Sequence, residues 1–244
     1  MSTGVKHSSQ RSGPHPDGRV ERWREHRIQR RRQLVDATLQ ALELHGVEVN
    51  LAQIAAVAGI PKPKIYRHFD DKADLVSAVG QRLRDLIVQA LAETIEPDIT
   101  VGVHVRRALH AVLGVIAEHP NAVKLLMNSP PPKGRPNAIT EGGRFVADIL
   151  VAFTAEDFER ARIKASGIEP LAHALVGSVL GAADWWLLKD DAEQMPIDEL
   201  VEHLAVVLIG AGDAALRTIG LSLDPDAVIG AEHLVRLTPA ALGA

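Results

Sequence analysis

Lys62, Lys64, Tyr66, Arg67 and His68 fall within seven residues of one another, inside the segment PKPKIYRHF that runs from Pro61 to Phe69. Three cations, a phenol and an imidazole so close together suit contact with phosphate oxygens and with the hydrogen-bonding edges of bases. They share a side only if the segment is helical. Ile65 and Phe69, four apart, then form the buried face and leave the polar residues outside. Pro61 and Pro63 lack N–H donors, which is tolerable in the opening turn of a helix and nowhere later. The spacing therefore predicts a short helix starting between residues 61 and 64.

The residues on either side supply the elements that would position it. Leu51, Ile54, Ala55 and Ala58 recur at helical spacing and predict a preceding short helix, with Asn50 as its N-cap. Gly59 ends that helix, because it adopts a left-handed conformation that a Cβ would penalise. After the segment, Asp71 reads as a second N-cap with Asp74 as its capping-box partner. Lys72 lies in that first turn, where it and free N–H groups could hold a phosphate. Helix, glycine turn and cationic helix together form a helix-turn-helix pattern, whose second helix enters the DNA major groove. On this reading Lys62, Lys64, Tyr66, Arg67 and His68 meet DNA, while Asn50 and Lys72 hold phosphate. The bland alternative is a solvated helix in an ordinary all-α protein.

The strings AAVAGI, KPKIYRHF and DKADL, at these spacings, resemble the DNA-binding signature of TetR-family transcriptional regulators. The WREHR segment with KPKIYRHF is similar to actinobacterial members, some linked to lipid or alkane metabolism. The resemblance covers about the first third of the ordered chain. It implies a homodimer on a palindromic double-stranded operator, released by a small apolar or amphipathic effector. It also implies that Pro63 and Tyr66 touch bases or backbone. Lys64 stands where the family often has a small or hydroxylated residue, which favours a guanine or phosphate contact.

Charge distribution agrees. Residues 1–72 hold 13 basic and 8 acidic side chains, a net +5, against 14 and 23, a net −9, in the remainder. A basic head on an acidic body is the footprint of a DNA-binding unit joined to one that does not bind DNA. Much of the excess lies in a predicted long first helix, residues 20–45. Arg22, Arg24, Arg27, Arg30, Arg31 and Arg32 crowd its first half and are expected to lie towards the DNA backbone. Residues 1–19 read as a disordered basic tail, with Lys6, Arg11 and Arg19 in reach of phosphates. There is no cysteine, no metal-ligand spacing and no secretory signal, and no apolar run of about 20 residues. We expect a cytoplasmic protein with no cofactor, no metal and no membrane partner.

The fold expected is all-α: a helix-turn-helix domain over residues 20–72, and a larger helical ligand-binding and dimerisation domain over 73–244. A fourth helix, residues 72–96, would join the two. Further helices are expected over 101–118, 121–128, 138–165 (weakened at Gly142-Gly143), 170–189, 196–219 and, as a short last one, 224–237. The resemblance places an effector cavity in this body. The candidate lining is Leu113, Ala117, Met127, Phe145, Ile149, Phe153, Val176 and Leu180, with His104, His110, His173 or Asp184 orienting a polar end. An aromatic content of 3% favours an aliphatic ligand. Small or apolar residues on the helices over 170–189 and 196–219, namely Ala174, Ser178, Ala182, Leu204, Leu208 and Ala211, fit a two-fold four-helix interface. Without the resemblance, core helices of a monomer fit them equally. One tryptophan of the adjacent pair Trp185-Trp186 is expected inside and the other at an interface.

Enzyme signatures are missing. There is no G-x-S-x-G, Walker A motif or H-E-x-x-H. The expected function is a ligand-released repressor. Its rivals are a regulator or activator without an inducer, and a helical lipid-binding protein with a vestigial head.

Overall fold

Asn50 caps its helix as its residue type requires. In the computed structural model its Oδ1 accepts from the N–H groups of Ala52 (2.9 Å) and Gln53 (3.1 Å), and Gln53 Oε1 accepts from the Asn50 N–H (2.9 Å). This reciprocal pair opens α2 (Leu51–Val57), which follows α1 (Gly18–His45). The exit from α2 is equally local. Gly59 has φ +62°, the Ile60 N–H donates to the Ala55 carbonyl and the Gly59 N–H to that of Ala56, so two orphan carbonyls are satisfied. The structure describes residues 18–130, 137–160, 168–190, 192–229 and 234–236. The expected tail with Lys6 and Arg11, most of the proline-rich loop and the end of the helix over 138–165 lie outside them, as does the side chain of Arg19.

The short helix expected after Gly59 forms over Lys62–Arg67, and it is a 3-10 helix. The two prolines and the six-residue length explain this. Few N–H donors remain, and Lys64 donates to Pro61 and His68 to Ile65 over the shorter three-residue span. Ile65 and Phe69 are each 2% exposed and pack with Leu34, Val35, Leu39 and Leu42 of α1, Ile54 and Ala55 of α2, and Leu75 and Val79 of α3 (Lys72–Ala92). Asp71 caps α3, accepting from the Asp74 N–H at 2.7 Å. Asp74 does not reciprocate on Asp71 as expected. Its carboxylate accepts instead from the Asp70 N–H and from Arg31.

The same core continues into the body without a break. There α4 (Val101–Glu118), α5 (Pro120–Asn128) and α6 (Ala138–Arg160) pack against α3, while α7 (Ile168–Leu187) packs on α6 and α8 (Ile197–Arg217) on α4 and α7. α6 forms as one helix through Gly142-Gly143, where only a weakening was expected. A Cβ on Gly143 would stand 2.8 Å from Leu180 Cδ1, so this glycine permits close packing on α7 and is not a break. The short helix expected over 224–237 is not formed either. Leu221–Leu223 (β1) pairs antiparallel with Leu234–Arg236 (β2). The ribbon buries Leu221 against Phe158 and Leu216. It is tied to α8 by Asp213, which accepts from the Leu223 N–H (2.9 Å), the Ser222 hydroxyl (3.0 Å) and Arg217 Nε (2.7 Å). Apart from this ribbon the described chain is all-α.

Candidate DNA interface and effector cavity

Burying Ile65 and Phe69 turns the opposite side of the 3-10 helix to solvent. Lys62, Pro63, Lys64, Tyr66 and Arg67 are exposed, Tyr66 by 55%. Among the described residues, none of the side chains of Lys62, Lys64, Tyr66 and Arg67 makes a hydrogen bond or ion pair. Three uncompensated cations and a phenol are thus free for an external anion. His68 departs from expectation. It is half-buried, with Nδ1 inaccessible and unpartnered. Burial lowers its pKa, and the charges of Arg27, Arg31, Arg30 and Arg67 lower it further, so the ring is neutral and turned towards α1. Asn50 and Lys72 are both exposed. The Asn50 oxygen is already committed to the helix cap, leaving only its NH2 group for a phosphate. At the α3 N-terminus the Asp70 and Asp74 N–H groups are held by Asp74 and Asp71. The Lys72 and Ala73 N–H groups have no such partner among the described residues, so a phosphate there could meet them together with the Lys72 side chain.

One of the arginines expected on the DNA backbone has an internal task. Arg31 grips Asp74 with both terminal nitrogens (2.6 and 3.1 Å), donates to the His68 carbonyl and stacks on the Phe69 ring, 4.3 Å from its centroid. It thereby joins α1, the last turn of the 3-10 helix and the first turn of α3. The Arg31 hydrogen bond holds the Asp74 carboxyl below its usual value. Nothing in the sequence pairs two residues 43 apart.

Beneath the head, α3 forms one wall of a cavity of about 510 Å³. Met127, Ile149, Phe153, Val176 and Leu180 line it, as expected. Leu113, Ala117 and Phe145 do not. Leu113 is fully buried in the core beside it, Ala117 faces solvent, and Phe145 is 42% exposed, its ring beside Arg84 of α3 at the cavity's edge. α4 is apolar on two sides, and its cavity face runs through Leu109, Val112, Val115 and Ile116. Sequence reasoning also missed the α3 wall of Leu83, Arg84, Ile87, Val88 and Leu91. Of the proposed polar partners only His104 reaches the cavity, stacked on Phe153 at 5.7 Å. His110, His173 and Asp184 are exposed elsewhere. Burial lowers the pKa of His104 and keeps it neutral. The lining hydroxyls are spent internally, Thr94 on the Leu91 carbonyl and Thr154 on those of Leu150 and Val151.

Residues 34–79 match the family of bacterial regulatory proteins called the tetR family. An uncharacterized HTH-type transcriptional regulator of Mycobacterium tuberculosis (strain ATCC 25618 / H37Rv) is 30% identical over 193 residues, 78% of this chain and 80% of that one. The chain belongs to the TetR family. It is a DNA-binding transcriptional regulator and not an enzyme. A TetR-family regulator from Streptomyces coelicolor shares its fold with a TM-score of 0.60 at 21% identity, over 78% of this chain and 83% of that one. The regulator FadR from Bacillus subtilis, solved in complex with stearoyl-CoA, does so with a TM-score of 0.58 at 17% identity, over 73% and 97%.

In this TetR-family chain the last two helices leave an unpaired face. On α7, Ala174, Gly177, Gly181 and Trp185 are exposed and Ser178 and Ala182 partly so; on α8, Val207, Gly210 and Ala211 are exposed. Leu204 is not on that face. It is 6% exposed within its own subunit, and Leu208 is turned to the cavity. The apolar run of α8 hid which of its sides is covered. Trp185 is 46% exposed, whereas Trp186 is buried with its indole N–H donated to the Met195 carbonyl at 2.7 Å. Among the described residues no helix is long and apolar enough to cross a membrane.

Proposed function

We propose that this regulator is a homodimeric repressor that leaves a palindromic operator when an elongated, largely apolar effector fills the cavity. The observation that carries the reading is the double duty of α3. Its first turn is clamped through Asp74 to Arg31 and the His68 carbonyl, and the same helix walls the cavity further down. At 1.5 Å per residue, its 21 residues span about 30 Å. Two lateral ties add to this. Arg82 of α3 pairs with Asp36 of α1 at 2.7 Å. Glu43 of α1 accepts from the Asn121 side chain and from the N–H groups of Asn121 and Ala122 at the start of α5, and α5 lines the cavity with Val123, Leu126 and Met127. A ligand that displaces α3 or α5 therefore pulls on the head.

Lys62, Lys64, Tyr66 and Arg67 enter the major groove, with Pro63 fixing the first turn and Lys72 and the Asn50 amide on the backbone. Two heads joined through the α7–α8 face meet half-sites about 34–36 Å apart. The effector acts only by its differential affinity for the released state. A coupling of about 1–3 kcal/mol would lower operator affinity roughly 5- to 150-fold. The apolar cavity and the stearoyl-CoA complex of FadR both favour a lipid-like effector. The test is fluorescence anisotropy on the protein's own upstream DNA, with and without a lipid extract of the cell, alongside sedimentation to fix the oligomeric state. Saturable, salt-sensitive binding by a dimer that the extract weakens is the expected result. Binding indifferent to every apolar fraction would favour a regulator without an inducer.

A further inference from the structure

Among the described residues Arg84 is an arginine without a counter-charge. It lines the cavity from α3, its guanidinium lies 5.0 Å from the centroid of the half-exposed Phe145 ring, and among the described residues it has no hydrogen bond or ion pair. Arg82, Arg106, Arg107 and Arg217 of the body are paired, with Asp36, Glu202, Glu96 and Asp213, and Arg144, which like Arg84 has no partner among the described residues, does not line the cavity. We propose that Arg84 receives the anionic head of a single-chain amphiphile, whose alkyl chain runs down the cavity beside α3. The inference rests on the reading of this cavity as the effector site and adds the chemical class of its ligand.

The rest of the cavity agrees with one charged end and one apolar tail. From Arg84 to Ala92 it follows α3 for about 12 Å and continues past the helix end to Thr94 and Ile95. That accommodates most of one long acyl chain, whose reach is about half of the roughly 30 Å hydrocarbon thickness of a bilayer. The wall is built mainly of Leu, Ile and Val, which suits a flexible aliphatic chain better than a stack of flat rings. Towards the far end, the neutral His104 offers no charge to a second anion. Arg84, at the Phe145 rim, leaves the charged head near water, where desolvation costs least. A guanidinium can grip a carboxylate or a phosphate with two parallel N–H donors. Both a free fatty acid and an acyl thioester of a phosphate-bearing carrier present that chemistry.

Calorimetric titration of the full-length protein with hexadecanoate, hexadecanoyl-CoA and the neutral hexadecanol separates the possibilities. At least one of the two anionic ligands should bind more than about tenfold tighter than the alcohol, a difference of about 1.4 kcal/mol. Which of the two does so identifies the source of the head. In Arg84→Gln that preference should vanish while alcohol binding stays within about threefold; Arg84→Lys, which keeps the charge and loses the paired donors, should restore only part of it. Equal binding of acid and alcohol by the wild type, or loss of both in Arg84→Gln with the fold intact by circular dichroism, would overturn the role of Arg84 and leave the cavity reading standing. Failure of all three ligands to bind would overturn both.

Discussion

Replacing Arg31 with Met should loosen the head without removing a DNA contact. Met keeps the apolar stem and deletes the bidentate bond to Asp74, the bond to the His68 carbonyl and the stacking on Phe69. Hydrogen bonds to charged groups contribute about 1.5–3 kcal/mol when well formed. Here the two side chains are 36% and 31% exposed, so solvent screening reduces the pair to about 1–2 kcal/mol. The ring contact adds about 0.5–1 kcal/mol, giving a loss of about 1.5–3 kcal/mol in urea unfolding. Operator affinity should fall, since part of the population no longer holds the 3-10 helix in place. The slope of log affinity against log salt should not change, because Arg31 faces Asp74 and not a phosphate. Lys64→Ala, by contrast, should leave stability within about 0.5 kcal/mol. If Lys64 meets phosphate, the slope should become shallower by about one; if it meets a guanine, sequence preference should relax at one position. Should Arg31→Met keep full stability while its salt slope drops by about one, Arg31 is a backbone contact and the clamp argument is wrong.

Four further outcomes follow from the geometry. A Cβ at Gly80 would lie 2.6 Å from Ala138 Cβ, so Gly80→Val should force α3 and α6 apart and cost about 1–3 kcal/mol in thermal or urea unfolding. Val176→Trp should fill the cavity, leaving operator binding intact while abolishing its response to the apolar effector, as read by anisotropy. Gly181→Glu, on the exposed α7 face, should shift sedimentation towards a monomer and weaken operator binding well beyond tenfold, because a lone head loses the second half-site. Stability should also depend on pH through Asp74. Its folded pKa is lowered, so its contribution is complete above the unfolded carboxylate value of about 3.9 and is lost as pH falls through the folded value. In Asp74→Asn that part of the acid-induced loss should be missing from unfolding curves.

Local chemistry was the legible part of this chain. Asn50, Gly59 and Asp71 act within a few residues of their own positions, and each does what its type and place dictate. The exposure of Lys62, Lys64 and Tyr66 followed from Ile65 and Phe69 alone. What escaped the sequence depends on partners far along the chain or on a choice between similar faces. Arg31 and Asp74 meet only once α1 and α3 are packed, so an arginine in a basic run gave no sign of its internal task. Leu113 is as apolar as Leu109, and periodicity on a helix greasy on two sides cannot say which side meets a cavity. The same ambiguity put Leu204 on the surface, where Val207 stands. Leu221 and Leu223 alternate with the period of a strand, but three residues are too few to outweigh the helical neighbourhood. The two prolines placed the start of the cationic helix and left its type open.

The claim on which the rest depends is that paired copies of the 3-10 helix enter successive turns of the major groove. Selection of binding sequences from random duplex DNA, followed by footprinting of the winner with wild type and a Lys62→Ala, Lys64→Ala double variant, tests it most directly. Wild type should enrich an inverted repeat, protect two patches about one helical turn apart, and lose that preference in the double variant. An asymmetric or sequence-indifferent footprint, or one the double variant reproduces unchanged, would contradict it.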